Sequence, residues 1–169
     1  MGLSIVWLIF LTFLATCQCP GARANSQKLP PFKITSIKAM LFYEDKGTFS
    51  QDILADPSFA LRNVIIGAGS AEGNSSSTLV IVELSAKPEA YAPTRKIEFT
   101  ATYKSSGKNS RRIIEKRISN TGIFNKQGRF FAAFWLYDTG CEPVRVSTRI
   151  IGQSEPSFLT KTINFDCGE

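Results

Sequence analysis

The sequence contains no histidine. That removes every mechanism that needs an imidazole: Ser-His-Asp and Cys-His hydrolases, HExxH metallopeptidases and His-ligated zinc. Cysteine is scarce, four in 169 residues, and two of the four stand at positions 17 and 19, which does not make a zinc ribbon. Charge is modest. Charged residues make up 20% of the chain against 43% apolar and 11% aromatic, a balance that buries a core and excludes a disordered chain. The length is about that of one domain, and neither an internal repeat nor a second domain is visible.

The longest charge-free apolar run is N-terminal. Leu3 to Thr16 reads LSIVWLIFLTFLAT, followed by Pro20, Gly21 and the triplet Ala22-Arg23-Ala24. Such a run followed by small-x-small fits a secretory signal peptide over residues 1–24, cleaved after Ala24. It is shorter than the ~20 apolar residues of a membrane span. The first six residues carry no Lys or Arg, which leaves an uncleaved anchor as an alternative. Leu14-Ala15-Thr16-Cys17 also resembles a bacterial lipobox, with Thr16 where that box has Gly, Ala or Ser. Lipid anchoring through Cys17 is therefore a minor alternative. The expected location is the periplasm, the cell surface or the extracellular space.

Cleavage removes one cation, Arg23, and leaves a net charge of +5 in place of +6. It also leaves two cysteines, Cys141 and Cys167, an even number in an oxidising compartment, read as a disulfide. Residues 25–31 form a polar, proline-containing leader, and residues 32–169 the folded domain.

That domain reads as strands. Phe32 to Tyr43 alternates with a phase slip at Ser36, a bulge signal. Asp56 as cap, Pro57 in the first turn, the apolar set Ala60, Leu61, Val64 and Ile65, and Gly67 as stop predict a short helix over 57–66 within a long connection. A Gly/Ser-rich loop follows. Leu79 to Leu84 is largely apolar on both faces, and Lys96 to Lys104 alternates cleanly. Arg112 to Ile118 is a weaker, basic strand that belongs at an edge. Phe130 to Tyr137 is apolar on both faces, which predicts a central strand with Trp135 in the core. Two alternating strands, from Val144 and from Leu159, close the chain as a hairpin. The sum is mainly β: a single immunoglobulin-like β-sandwich of about seven antiparallel strands with one short helix. The cysteine-tryptophan-cysteine spacing of antibody domains is absent, since both cysteines follow Trp135.

Hairpin arithmetic predicts the register of the last two strands. Counting from a turn near Gly152 to Pro156 sets Val144 opposite Phe165, Val146 opposite Ile163, Thr148 opposite Lys161 and Ile150 opposite Leu159. Cys141 and Cys167 then meet at the open end if one extra residue bulges near Glu142-Pro143. Such a bridge closes a loop of about 27 residues and contributes roughly 3–4 kcal/mol in the chain-entropy model.

Four constellations could carry chemistry. Gly67-Ala68-Gly69 after Val64-Ile65-Ile66 suggests a dinucleotide fingerprint, but Gly73 falls one residue too late and Asn74-Ser75-Ser76-Ser77 cannot open an apolar helix, so it reads as loop. Phe130, Phe131, Phe134, Trp135 and Tyr137 are read as core; were one face exposed, Phe131, Trp135 and Tyr137 would share it by parity and could stack on sugars. Lys104, Lys108, Arg111, Arg112, Lys116 and Arg117, in a chain of pI 9.3, form either an anionic-ligand surface or a solvated edge strand defended by charge. Asp138, Glu142, Asp166 and Glu169 gather near the cysteines in sequence but match no calcium loop. Asn74-Ser75-Ser76 is a glycosylation sequon, meaningful only in a eukaryotic source.

The reading that results is a small exported, non-catalytic protein acting as a binding or structural module, with no cofactor, no metal and no nucleic acid. Its partner would be another exported protein, an acidic glycan or a membrane surface. The alternatives are a carboxylate-dependent glycan hydrolase and a subunit of an exported surface assembly, which a long unpaired strand edge would favour.

Overall fold

A computed structural model describes residues 30–55, 61–62, 73, 75–104, 111–139 and 142–166; of 61–62, 104, 111–112 and 166 it describes the backbone alone. The protein is mainly β, and no helix occurs among the described residues. Ten strands follow in chain order: β1 Lys33–Tyr43, β2 Thr48–Phe49, β3 Leu61–Arg62, β4 Ser77–Ser85, β5 Lys96–Lys104, β6 Arg111–Asn120, β7 Arg129–Tyr137, β8 Val144–Ile151, β9 Phe158–Ile163 and β10 Phe165–Asp166. Eight build two four-stranded antiparallel sheets, β2-β1-β4-β7 and β6-β5-β8-β9. The remaining two form a short parallel pair, Phe165 with Leu61 and Asp166 with Arg62.

Alternation builds the core. β4 and β8 each bury every second residue, Thr78, Val80, Val82 and Leu84 in one, Val144, Val146, Thr148 and Ile150 in the other. From β5 come Ile97, Phe99 and Ala101, and from β1 Ile37, Ala39, Leu41 and Tyr43. The two sheets meet through these faces: Phe99 of the second stacks on Phe134 of the first at 4.3 Å, 4° from parallel. Arg95 is a buried cation that no pattern announces. It covers the ring of Phe32 at 4.2 Å and donates to the Pro30 carbonyl at 2.6 Å.

Several sequence expectations hold. The slip in β1 is a register shift between Ile34 and Ser36 against β4. β5 spans the predicted residues, and the basic strand, here β6, lies at the edge of its sheet. Others need correcting. Phe130 to Tyr137 is no central strand: among the described residues β7 pairs with β4 alone and ends the first sheet. Trp135 is therefore not in the core but half-buried on the outer face, because odd residues of β7 point away from it. Within the span predicted as helix, Leu61–Arg62 are strand; the rest of 57–66 lies outside the described residues.

The final hairpin exists, but two residues out of the expected register: Val144 faces Ile163, Val146 faces Lys161 and Thr148 faces Leu159. A two-residue slip keeps every side chain on its face, so alternation could not reveal it. The turn decides. Gly152 adopts φ +82°, and a Cβ there would collide with the Thr94 carbonyl oxygen, so only glycine fits. Ile150 then donates to the Ser157 carbonyl at 3.0 Å and closes the turn. Lys161 reaches solvent despite its inward parity, as an edge lysine can. Cys141 and Cys167 lie outside the described residues, as do residues 1–29.

Candidate functional site: the outer face of the first sheet

The outer faces of the two sheets differ in kind. On the second, Lys96, Glu98, Thr100, Arg145, Ser147 and Arg149 are polar, as solvent exposure requires. Arg149 donates to both carboxylate oxygens of Glu98, at 2.8 and 3.1 Å. These bonds hold the Glu98 carboxyl below its ordinary range, against some loss of hydration and with help from the charges of Arg149 and Lys116.

The first sheet presents the opposite chemistry. Register places Met40, Leu79 and Trp135 in one row, Lys38, Ile81 and Ala133 in the next, and Phe42, Ser77 and Tyr137 in a third. β2 adds Phe49 beside Phe42. The rings form one cluster: Phe42 to Phe49 at 5.2 Å, Phe42 edge-on to Trp135 at 5.8 Å, Phe49 to Trp135 at 5.9 Å, and Trp135 near-parallel to Tyr137 at 6.3 Å. Phe49, Phe131 and Tyr137 are 44%, 48% and 55% exposed. At the far end Arg129 lies 6.0 Å from the centre of the Phe131 ring and 3.8 Å from Glu83. Single exposed apolar residues are ordinary, but a contiguous aromatic and aliphatic face is not, and such faces mark binding surfaces.

The shared parity of Phe131, Trp135 and Tyr137 was legible in the sequence. Phe42, Phe49, Met40, Leu79 and Ile81 were not, because they join the face only through pairing of strands distant in sequence. The basic cluster is described in part. Lys104 pairs with Arg111 and Tyr103 with Arg112 along the β5–β6 ladder, and Lys108 lies outside the described residues. Lys116 faces Thr100 on the outer side, whereas Arg117 bonds Glu115 of its own strand at 3.0 Å.

A cleft of about 320 Å³ opens between β6 and the end of β7, lined by Tyr103, Ile113, Ile114, Glu115, Tyr137 and Asp138. Two carboxylates share it, one of them already neutralised by Arg117. Glu142 is exposed, the side chain of Asp166 and all of Glu169 lie outside the described residues, and no group of three or more metal-binding side chains occurs among the described ones. Among the described residues no helix is long and apolar enough to cross a membrane.

No family model and no curated protein matches the chain. Among solved structures it aligns with one labelled a beta-galactosidase from Bacteroides fragilis, with a TM-score of 0.35 and 12% identity. The alignment covers 53% of this chain and 14% of that one, a likeness too slight to bear on function.

Proposed function

We propose that this is a small exported, non-catalytic, immunoglobulin-like β-sandwich that works as a protein-binding module. The leader over residues 1–24 supports export. Strand order supports the fold: β1-β4-β7 against β6-β5-β8-β9 corresponds to strands A, B and E facing C′, C, F and G of such sandwiches. A Cys141–Cys167 bridge belongs to the same reading. Thiol titration of unreduced mature protein should find no free cysteine, and two free thiols would remove the bridge.

The outer face of the first sheet carries the functional reading. Its centre is mostly apolar, with Met40, Leu79 and Ile81 between the rings and Lys38 as the one charge in the three rows. Aromatics, Met and a rim Arg, with few charges inside, are the composition of a protein interface core. Around Trp135 the neighbours are Met40, Leu79, Phe42, Phe49 and Tyr137, of which only Tyr137 brings a hydrogen-bonding group, fewer than a sugar site beside stacking rings requires. The test is affinity capture from the native secretome with wild-type protein and a Trp135→Ala/Tyr137→Ala variant. Wild type should retain defined proteins at low and high salt, and the variant should release them. Equal retention by both, or loss of glycans only, defeats the reading.

The hydrolase alternative has one observation in its favour, Glu115 and Asp138 on a common cleft. Hydrolysis of glycans by wild type, abolished in Asp138→Asn, would establish it.

A further inference from the structure

β7 ends the first sheet, and its hydrogen-bonding parity can be read from its start. The Gly128 carbonyl accepts from Ala86 at 2.9 Å, on the side of β4. Arg129 faces the other way: its N–H donates to Asn125 Oδ1 and its carbonyl accepts from the Asn125 N–H, both at 2.9 Å. Peptide groups alternate sides along a strand. The N–H and C=O groups of Phe131, Ala133, Trp135 and Tyr137 therefore point to the open side, where no strand lies among the described residues.

The other sheet edges carry recognisable protection. On β1 much of the outward side is occupied: Ala39 by Asp52 and Ile53, Leu41 by Ser50, the Ile34 N–H by Ser157, and Phe32 just before the strand by Gln153. β6 has a bulge between its partners Ala101 and Thr102 and carries Glu115, Lys116 and Arg117. β9 is short and has Lys161 at an inward position. β7 has none of these. Phe130 to Tyr137 contains no charge, proline or glycine, and its nine pairs with β4 run without a shift.

We propose that β7 pairs antiparallel with β7 of a second copy, joining two first sheets into one. This rests on the reading of that side of the molecule as protein-binding and adds a second copy at the edge of that face. The strand is complementary to itself in charge. It opens at Arg129, and Asp138 follows its last residue. An antiparallel pair brings each Arg129 within a residue of the other copy's Asp138, at both ends. One register serves side chains as well: Trp135 opposite the second copy's Ala133, and Tyr137 opposite its Phe131, setting large beside small and ring beside ring. A parallel pair would place like charges together.

Sedimentation equilibrium of purified residues 25–169 tests the proposal. Wild type should be a concentration-dependent dimer. Ala133→Pro removes an outward N–H and leaves every bond to β4, so it should be monomeric with a melting temperature within a few degrees of wild type. Ala133→Lys should also be monomeric and covers the case in which the proline variant folds poorly. Arg129→Glu should weaken the dimer about tenfold, the sum of two rim ion pairs. A wild-type monomer at every concentration overturns the inference, and so does a dimer that survives both Ala133 variants or a monomer that takes up a foreign extended peptide along β7. None of these outcomes touches the Trp135-dependent capture of other proteins, so the two readings fail separately.

Discussion

β1, covered at one end by the two-residue β2, and β7 lie at opposite sides of the same sheet, yet the protein finishes them in opposite ways. Along β1 the outward peptide groups are filled by side chains and turns: the Asp52 carboxylate takes the Ala39 N–H at 3.0 Å, the Ser50 hydroxyl takes that of Leu41 at 2.9 Å, and Gln153 bonds Phe32 in both directions. Along β7, among the described residues, Arg129 alone has its outward groups served, by Asn125. Both strands bury their inner faces equally well. The difference is therefore not one of folding, since backbone groups left open at the surface bond water at little cost. It is a difference in what each edge can accept.

The largest effect should come from what holds β7 in place. β7 is fixed by β4 and by its inner face, and Phe134 is stacked on Phe99 across the core. Phe134→Ala should cost about 3–5 kcal/mol, read by urea denaturation, a large part of a domain's margin of about 5–15 kcal/mol. If it costs little, β7 is held by something other than the core. Next, Asp52→Ala should make β1 resemble β7. It strips the acceptor shared by Ala39 and Leu54, at about 1–3 kcal/mol, and hydrogen exchange at Ala39 should quicken. Unchanged protection there would mean the plug does not matter.

Trp135→Ala should cost less, about 0.5–1.5 kcal/mol for its ring contacts with Phe42 and Phe49, while abolishing partner retention. A loss as large as that of Phe134→Ala would return Trp135 to a structural role. The smallest effect belongs to the sheet away from both edges. Because Arg149 holds the Glu98 carboxyl below its ordinary range, its stabilisation is present above the unfolded-state pKa and is lost as pH falls through the folded one. Glu98→Gln should thus be slightly less stable than wild type at neutral pH and equal to it in acid. A gap that persists in acid would assign the effect to packing.

Much of the fold was legible because alternation is local. β5 shows its buried face in the alternation of Ile97, Phe99, Ala101 and Tyr103, and the bulge in β1 shows as a slip of phase at Ser36. Where neighbours in space decide, the letters are silent. Trp135 and Phe134 are both aromatic, and a run apolar on both faces looks the same whether its outer side meets a second layer or a cluster built from Phe42 and Phe49. The hairpin register failed for a related reason, since slips by two residues are equivalent to the pattern and only Gly152 separates them. Least visible of all were Asp52, Ser50, Gln153 and Asn125. Their role is to bond the backbone of another segment, and nothing in their own surroundings in sequence marks it.

The occupied edge of β1 has a consequence for stoichiometry. A sheet open on both sides propagates: each added copy offers a fresh end, and the product is a filament of unlimited length. Here β7 is the one long unfilled edge of the first sheet among the described residues, since β1 is largely occupied and β2 has two residues, and a twofold pairing of β7 consumes it on both copies. The complex therefore stops at two, because Asp52, Ser50 and Gln153 have already taken the positions a third chain would need.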